Sequence, residues 1–406
     1  MLQNTCCHFY LFFIDIQRII SAVPKATMPV IYILFVFLPY FYAVLLLMKK
    51  IRSLDGLRAI SILLVILAHA SDTMPRVLTD NLLFSVVLSN SQLGVRVFFV
   101  ISGYLITTLL MAEKGKKGNV NLKHFYARRI LRIFPPFYAY IIVIIILKVF
   151  FVPDIVNSYT AILFAALYLW NYKHLFPGGS LAYYDKGLWY LGHFWTLAME
   201  EQFYIFWPVT FLKMRKRALI KLLIAILIIM PLLRVITYFA FTASRGQITM
   251  MLHTGGDTLL IGCLGALLEK TVKFQSWIRY MQHYYIILPV IAFLFIISPY
   301  LSLHYKGSYY LTLGISLDNI CIFVFLFWCI YSNNAFTKLL NSKVFVTVGV
   351  LSYSLYIWQQ LFIANYYNVW FVKFPVNIIV AFIVAAGSYY LIEKPVLRFK
   401  KKFKEI

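Results

Sequence analysis

Apolar runs long enough to cross a bilayer recur along the whole chain, separated by short polar loops. They fall at about 54–71, 92–111, 133–152, 194–212, 218–240, 254–269, 284–300, 311–331, 345–366 and 375–393. A bilayer core takes roughly 20 apolar residues per helix. Runs of that length, rich in Leu, Ile and Phe, predict helices and not the alternating segments of about ten residues that build an outer-membrane barrel. The pattern therefore predicts an all-α fold, a polytopic transmembrane helix bundle of about ten spans. A shorter run, Tyr159 to Trp170, is an eleventh candidate.

Basic residues decide that candidate. The segment Glu113 to Arg132 holds Lys114, Lys116, Lys117, Lys123, Arg128, Arg129 and Arg132, and a second cluster is Lys213-Met-Arg215-Lys216-Arg217. Both are expected on the cytoplasmic side. Two spans, 133–152 and 194–212, join them with the right parity, so 159–170 reads as a re-entrant or interfacial helix. By the same alternation 270–279, 333–343 and the lysine-rich tail 394–406 fall inside, giving a multi-pass protein with a cytoplasmic C-terminus. Lys49, Lys50 and Arg52 place the start of the first span inside as well.

The first 47 residues stand apart. Met28 to Leu47 is apolar, whereas Met48-Lys-Lys-Ile-Arg reads as a natural start. The stretch 1–47 is an N-terminal extension that is an extra span, a signal-like segment or the product of a misassigned start codon. Residues 48–406 form one membrane domain.

Composition agrees with this reading. Of the 406 residues 62% are hydrophobic and 13% charged, far too few polar groups to cover a soluble domain. The net charge of +24 would suggest nucleic acid in a soluble protein. Here it follows the loops, and it suits anionic lipid headgroups or a phosphorylated cofactor instead. Five cysteines without a CxxC pair predict neither a zinc site nor a disulfide framework.

Ionisable residues inside spans carry the candidate chemistry, because each costs about 2.5–3.5 kcal/mol to insert. Arg58 and His69 are eleven residues apart, close to three helical turns, so they share a face about 16 Å apart along the axis. Arg58 falls toward the cytoplasmic end and His69 toward the outer end. Asp55 lies three residues before Arg58, at pairing distance on a helix. Glu200 falls in the outer half of its span, at a depth like that of His69, where a carboxylate would set the imidazole tautomer. His193 is seven residues from Glu200 and shares its face. Arg96, Arg234, Asp257 and Asp318 fall toward outer ends and would line an outward polar cavity. Arg128, Arg129 and Arg132 suit phosphate groups. Each has a plainer alternative: snorkelling for Arg58 and the outer charges, a backbone-bonded interfacial ring for His69, a helix-locking ion pair for Glu200, ordinary topology for the arginine cluster. Gly94, Ser102 and Gly103 let a helix or a ligand approach the backbone.

These segments together resemble the acyltransferase family 3 membrane proteins, over about Leu54 to Pro395. Leu54-Asp-Gly-Leu-Arg58-Ala with His69 is like the family's opening motif, and Gly94…Phe98-Phe-Val-Ile-Ser102-Gly103-Tyr104 its second. Arg128-Arg-Ile-Leu-Arg132-Ile-Phe-Pro135 looks like the third, and Trp195-Thr-Leu-Ala-Met-Glu200-Glu-Gln-Phe-Tyr204 the fourth. Ser352-Tyr-Ser-Leu-Tyr356-Ile-Trp358 and Glu393-Lys-Pro395 resemble the closing ones. One position departs: family members often carry a histidine after that tryptophan, where this chain has Gln359. Some relatives also carry a C-terminal periplasmic hydrolase-like domain.

The resemblance implies an O-acyltransferase of the bacterial cytoplasmic (inner) membrane. It would move an acyl group, acetyl in the first instance, from cytosolic acetyl-CoA to a hydroxyl of an extracytoplasmic or lipid-linked saccharide. His69 would be the base, Glu200 its partner, and Arg58 the contact to donor or oxyanion. Arg128, Arg129, Arg132, Ser102 and Gly103 would bind the donor. Asp55, Arg96, His193, Trp195, Tyr204 and Asp257 would line the acceptor path. The bilayer, acyl-CoA and a surface saccharide are the expected partners, with no metal, no resident cofactor and no nucleic acid. A transporter of an anionic or acylated metabolite is the rival reading, since it too needs polar groups at mid-membrane.

Overall fold

In a computed structural model the described residues are 52–176, 186–364 and 366–399. The chain divides into two units, 1–51 and 52–406. The expectations for 1–47 and for the lysine tail after residue 399 lie outside the described residues.

Among the described residues the elements are helices, turns and loops. The principal helices are α1 (Arg52–Ala70), α2 (Ser91–Lys117), α3 (Leu122–Ile146), α4 (Tyr159–Ala166), α5 (Lys186–Gly192), α6 (Phe194–Lys213) and α7 (Lys216–Ala240). They continue with α8 (Asp257–Leu268), α9 (Tyr284–Ala292), α10 (Ser298–Tyr309), α11 (Ile315–Tyr331), α12 (Lys343–Phe362) and α13 (Val376–Ser388).

The expectation of about ten spans is corrected. Among the described residues seven helices are long and apolar enough to cross a membrane: Arg52–Thr73, Leu83–Lys117, Leu122–Phe151, Lys216–Ala240, Tyr284–Tyr331, Lys343–Phe362 and Val376–Phe399. Three differences account for the change. Helix α6 carries Glu200, Glu201 and Gln202 and falls short in apolarity. Helix α8 has 12 residues, about 18 Å at 1.5 Å per residue against a hydrocarbon core of ~30 Å. The runs 284–300 and 311–331 belong to one helical stretch of 48 residues, interrupted by non-helical backbone at Lys306. The alternation that assigned each loop to a side rested on ten crossings and goes with that count. The short run at 159–170 forms an eight-residue helix, α4, followed by a tight 3₁₀ turn, Trp170–Leu175.

Helices α1, α2 and α12 form the middle of the bundle, with 67%, 61% and 56% of their apolar windows buried, whereas the Tyr284–Tyr331 stretch buries only 17% and offers its apolar side chains outward. Where lipid tails are as apolar as the side chains, helices associate through close packing and polar bonds. Gly103 of α2 faces the Leu259 carbonyl of α8, and Gly262 of α8 faces the Val100 carbonyl of α2; a Cβ at either would overlap the opposing backbone. Gly349 of α12 sits in the same way against the Asp55 carbonyl of α1. Fourteen residues on, His69 meets Gln359, ten residues beyond Gly349, so α1 and α12 run parallel. We expect Gly349→Leu to force these helices apart, at a cost of about 1–3 kcal/mol or more. The readout is the thermal midpoint of the detergent-purified protein, and an unchanged midpoint would contradict the close approach.

Buried ion pairs join the remaining helices. Arg234 of α7 binds Asp257 of α8, which also accepts from Asn319 of α11 at 3.1 Å. Arg96 of α2 binds Asp318 of α11 and the Tyr310 hydroxyl. A charge removed from water this completely persists only when paired.

Candidate functional site

Two cavities meet along the α1–α12 seam. The first is lined by Arg58 from α1, Phe98, Phe99 and Ser102 from α2, Arg129 and Arg132 from α3, Thr196, Glu200 and Tyr204 from α6, and Ser352, Tyr353 and Tyr356 from α12. Helix periodicity explains the arginine set. Arg129 and Arg132 are three residues apart and share a face of α3, and they reach the same space as Arg58. Arg128, also within one turn of Arg132, does not line this space and pairs instead with Glu113 at 2.7 Å. The Arg129 guanidinium lies over the Tyr204 ring, 4.6 Å from its centroid, a position that desolvates it without neutralising it.

The cavity's carboxylates are few. Ser102 donates to Glu200 Oε1 at 2.7 Å, and the Tyr204 hydroxyl donates to Ser102 Oγ at 3.1 Å. Asp55 stands 3.6 Å from Arg58, one helical turn before it. Three guanidinium groups thus converge where a single carboxylate, Glu200, lines the same wall. Such a surplus of fixed donors suits an anion with several oxygens.

The second cavity, about 340 Å³, is lined by His69, Gln92, Trp170, Trp189, His193, Trp195, Gln247, Tyr356, Gln360 and Tyr366 among others. That size lies within the roughly 300–1,000 Å³ of small-molecule pockets. His69 Nδ1 is 3.0 Å from Gln359 Oε1. Trp189 of α5 meets the imidazole edge-on, with centroids 5.5 Å apart, and its indole donates to the Gln360 carbonyl at 2.9 Å. Val95 and Tyr356 line both cavities. The Tyr356 hydroxyl donates to the His193 carbonyl at 2.8 Å and meets Thr196 Oγ1 at 2.7 Å, which fixes this shared wall.

A model of the acyltransferase domain family matches residues 51–393. The chain belongs to this acyltransferase family. Membership gives it an acyltransferase domain within a polytopic membrane protein. It is 28% identical to the O-acetyltransferase OatA of Staphylococcus aureus (strain NCTC 8325 / PS 47), over 88% of this chain and 58% of that protein. It is 28% identical to the peptidoglycan O-acetyltransferase OatA of Listeria monocytogenes serovar 1/2a, over the same shares. A putative O-acetyltransferase of Staphylococcus aureus strain COL is 29% identical over 86% of this chain and 57% of its own length. The chain thus spans less than two thirds of these curated relatives. No solved structure gives a significant match.

The family motifs divide between the two cavities in a way that spacing alone did not show. Arg58, Ser102, Arg129, Arg132, Glu200 and Tyr204 gather in the first, while His69, His193 and Trp195 line the second. No hydrogen bond joins His69 to Glu200: the imidazole is held by Gln359 and the carboxylate by Ser102. His193 and Glu200 share a helical face in sequence but open onto different spaces. Gly103 packs on α8, and Arg128 stays with Glu113. Asp257 is buried against Arg234, and Arg96 lines a separate space with Asp318 and Tyr310. Asp55 is a buried neighbour of Arg58. Trp189, Tyr353 and Thr196 were not singled out in sequence, since each is an ordinary membrane-helix residue until its neighbours are known.

Proposed function

We propose that the chain is a membrane O-acyltransferase that moves an acyl group, acetyl in the first instance, from acyl-CoA to a hydroxyl of a saccharide on the far side of the membrane. The observation that carries this reading is the junction of an arginine-lined cavity with a histidine-bearing aromatic cavity through the shared wall of Val95 and Tyr356. Family membership supplies acyl transfer, and the names of the relatives supply acetyl and, for the Listeria protein, peptidoglycan.

In this account Arg129 and Arg132 hold donor phosphates through charge-assisted hydrogen bonds. Arg58, which lines the same cavity, is a third contact to the donor. Glu200, bonded to Ser102, keeps the arginines from repelling one another and sets the orientation of the Ser102 hydroxyl. His69 takes the proton of the acceptor hydroxyl. The new C–O bond forms as the C–S bond breaks, CoA leaves as the thiolate toward the first cavity, and the proton taken by His69 is released through water to protonate it. Aromatic faces at Trp170, Trp189 and Trp195 and amides at Gln92, Gln247 and Gln360 give the acceptor space both stacking surfaces and hydrogen-bonding groups.

The basic loop between α2 and α3 neighbours the Arg58 end, through the Arg128–Glu113 pair and the Arg129 and Arg132 side chains. The positive-inside rule then puts that end in the cytosol, with the donor, and His69 toward the outside. The experiment is to delete the gene in its own host, restore it on a plasmid, and weigh the surface glycans by mass spectrometry. One acetyl increment should disappear and return. Glycans unchanged by deletion would overturn the reading.

A further inference from the structure

Gln359 is wholly buried near the end of α12. Its side-chain oxygen lies 3.0 Å from His69 Nδ1. An amide oxygen only accepts, so in this contact the ring nitrogen is the donor. With the amide oxygen facing the ring, the matching tautomer has the proton on Nδ1 and a lone pair on Nε2. Nε2 makes no hydrogen bond to the described residues, and the ring lines the second cavity. The other half of the amide, Gln359 Nε2, is buried without a partner. A leucine or methionine would fill the same volume without that unmet donor, so packing alone does not call for glutamine here. Trp189 closes the ring from the other side, edge-on at 5.5 Å, so the imidazole is held between α5 and α12.

We propose that Gln359 is a positioning residue for His69, whose side-chain oxygen holds the Nδ1 proton so that Nε2 is the base presented to the acceptor hydroxyl. The task is the one a carboxylate performs in many hydrolytic triads, orienting the ring and selecting its tautomer. A neutral amide does so without adding a charge to a buried site. The parallel run of α1 and α12, set by the Gly349–Asp55 contact, brings the two side chains to the same level. The role rests on the acyl-transfer reading above; the contact does not.

Two measurements test it on the full chain in nanodiscs. The first is ¹⁵N NMR of histidine-labelled protein, with the His69 signals assigned by their loss in His69→Gln. The expected result is a protonated Nδ1 and an unprotonated Nε2 in the wild type, with a mixed population in Gln359→Leu. The second is acetyl transfer from labelled acetyl-CoA to surface glycan prepared from the producing cell. Gln359→Leu should lower kcat about tenfold or more, within the ~10²–10⁴-fold contribution of a general base, and leave the KM for acetyl-CoA unchanged. Gln359→Glu, which keeps an oxygen at the same reach, should recover most of the lost rate. A protonated Nε2 in the wild type, or a wild-type kcat and tautomer in Gln359→Leu, would overturn the proposal. A wild-type protein without transfer, or full transfer by His69→Ala, would instead overturn the functional reading, and the NMR result would still decide the tautomer.

Discussion

His69→Ala abolishes acetylation of the surface glycan while the chain inserts at the wild-type level. The side chain lines its cavity, bonds Gln359 and meets Trp189 edge-on, so truncation removes no ion pair. What goes is the group able to take a proton from a hydroxyl near neutral pH, a contribution of about 10²–10⁴ in rate. Alkali-labile acetate on washed cells is the measure, with membrane level read by immunoblot. Transfer at the wild-type rate by His69→Ala would remove the histidine from the chemistry. A variant absent from the membrane is answered by His69→Gln, which keeps a polar side chain in the same space and should be equally inactive.

The second large effect falls on the donor. The double variant Arg129→Ala/Arg132→Ala raises the KM for acetyl-CoA by about 100-fold, at about 1.5–3 kcal/mol for each lost hydrogen bond to a charged group. Arg129 rests on the Tyr204 ring and Arg132 shares the cavity with Arg58, so both face the same space. Arg128→Ala should leave this KM unchanged, because Arg128 is engaged with Glu113 outside the cavity wall. Titration of acetyl-CoA into purified protein at two salt concentrations separates the three. Equal losses in Arg128→Ala and in the double variant would mean a diffuse basic surface, not a built pocket.

Much of the site was legible in the sequence because helix periodicity is. The eleven-residue interval from Arg58 to His69 and the three-residue interval from Arg129 to Arg132 each predict a shared face; Arg129 and Arg132 line one cavity, whereas Arg58 and His69 open onto two. What periodicity leaves open is which helix stands opposite. Glu200 and His69 were matched by depth, but depth along a helix says nothing of azimuth, and Ser102 and Gln359 occupy the intervening partners. Gln359 looked like the loss of a family residue, and only its contact gives it a task. Gly103 illustrates the same limit, since a glycine beside a ligand and a glycine beside a helix read alike until Leu259 is seen against it.

The span count failed for a different reason. Hydropathy locates apolar runs, but α6 trades apolarity for its glutamates, α8 is too short, and two runs join across a break at Lys306. Each departure is local. The acidic helix supplies Glu200 and Tyr204, and the short helix supplies the groove that receives α2. In α6 the residues that line the site are also those that make the helix a poor match to a simple membrane span.

The central claim is that donor and acceptor enter from opposite sides and meet across the wall of Val95 and Tyr356. Sealed vesicles of known orientation, given membrane-impermeant labelled acetyl-CoA, test it most directly. With the Arg58 end facing the donor, label should appear on saccharide held in the opposite compartment, and none should appear when the orientation is reversed. Label transferred only when donor and saccharide share one compartment would contradict the account.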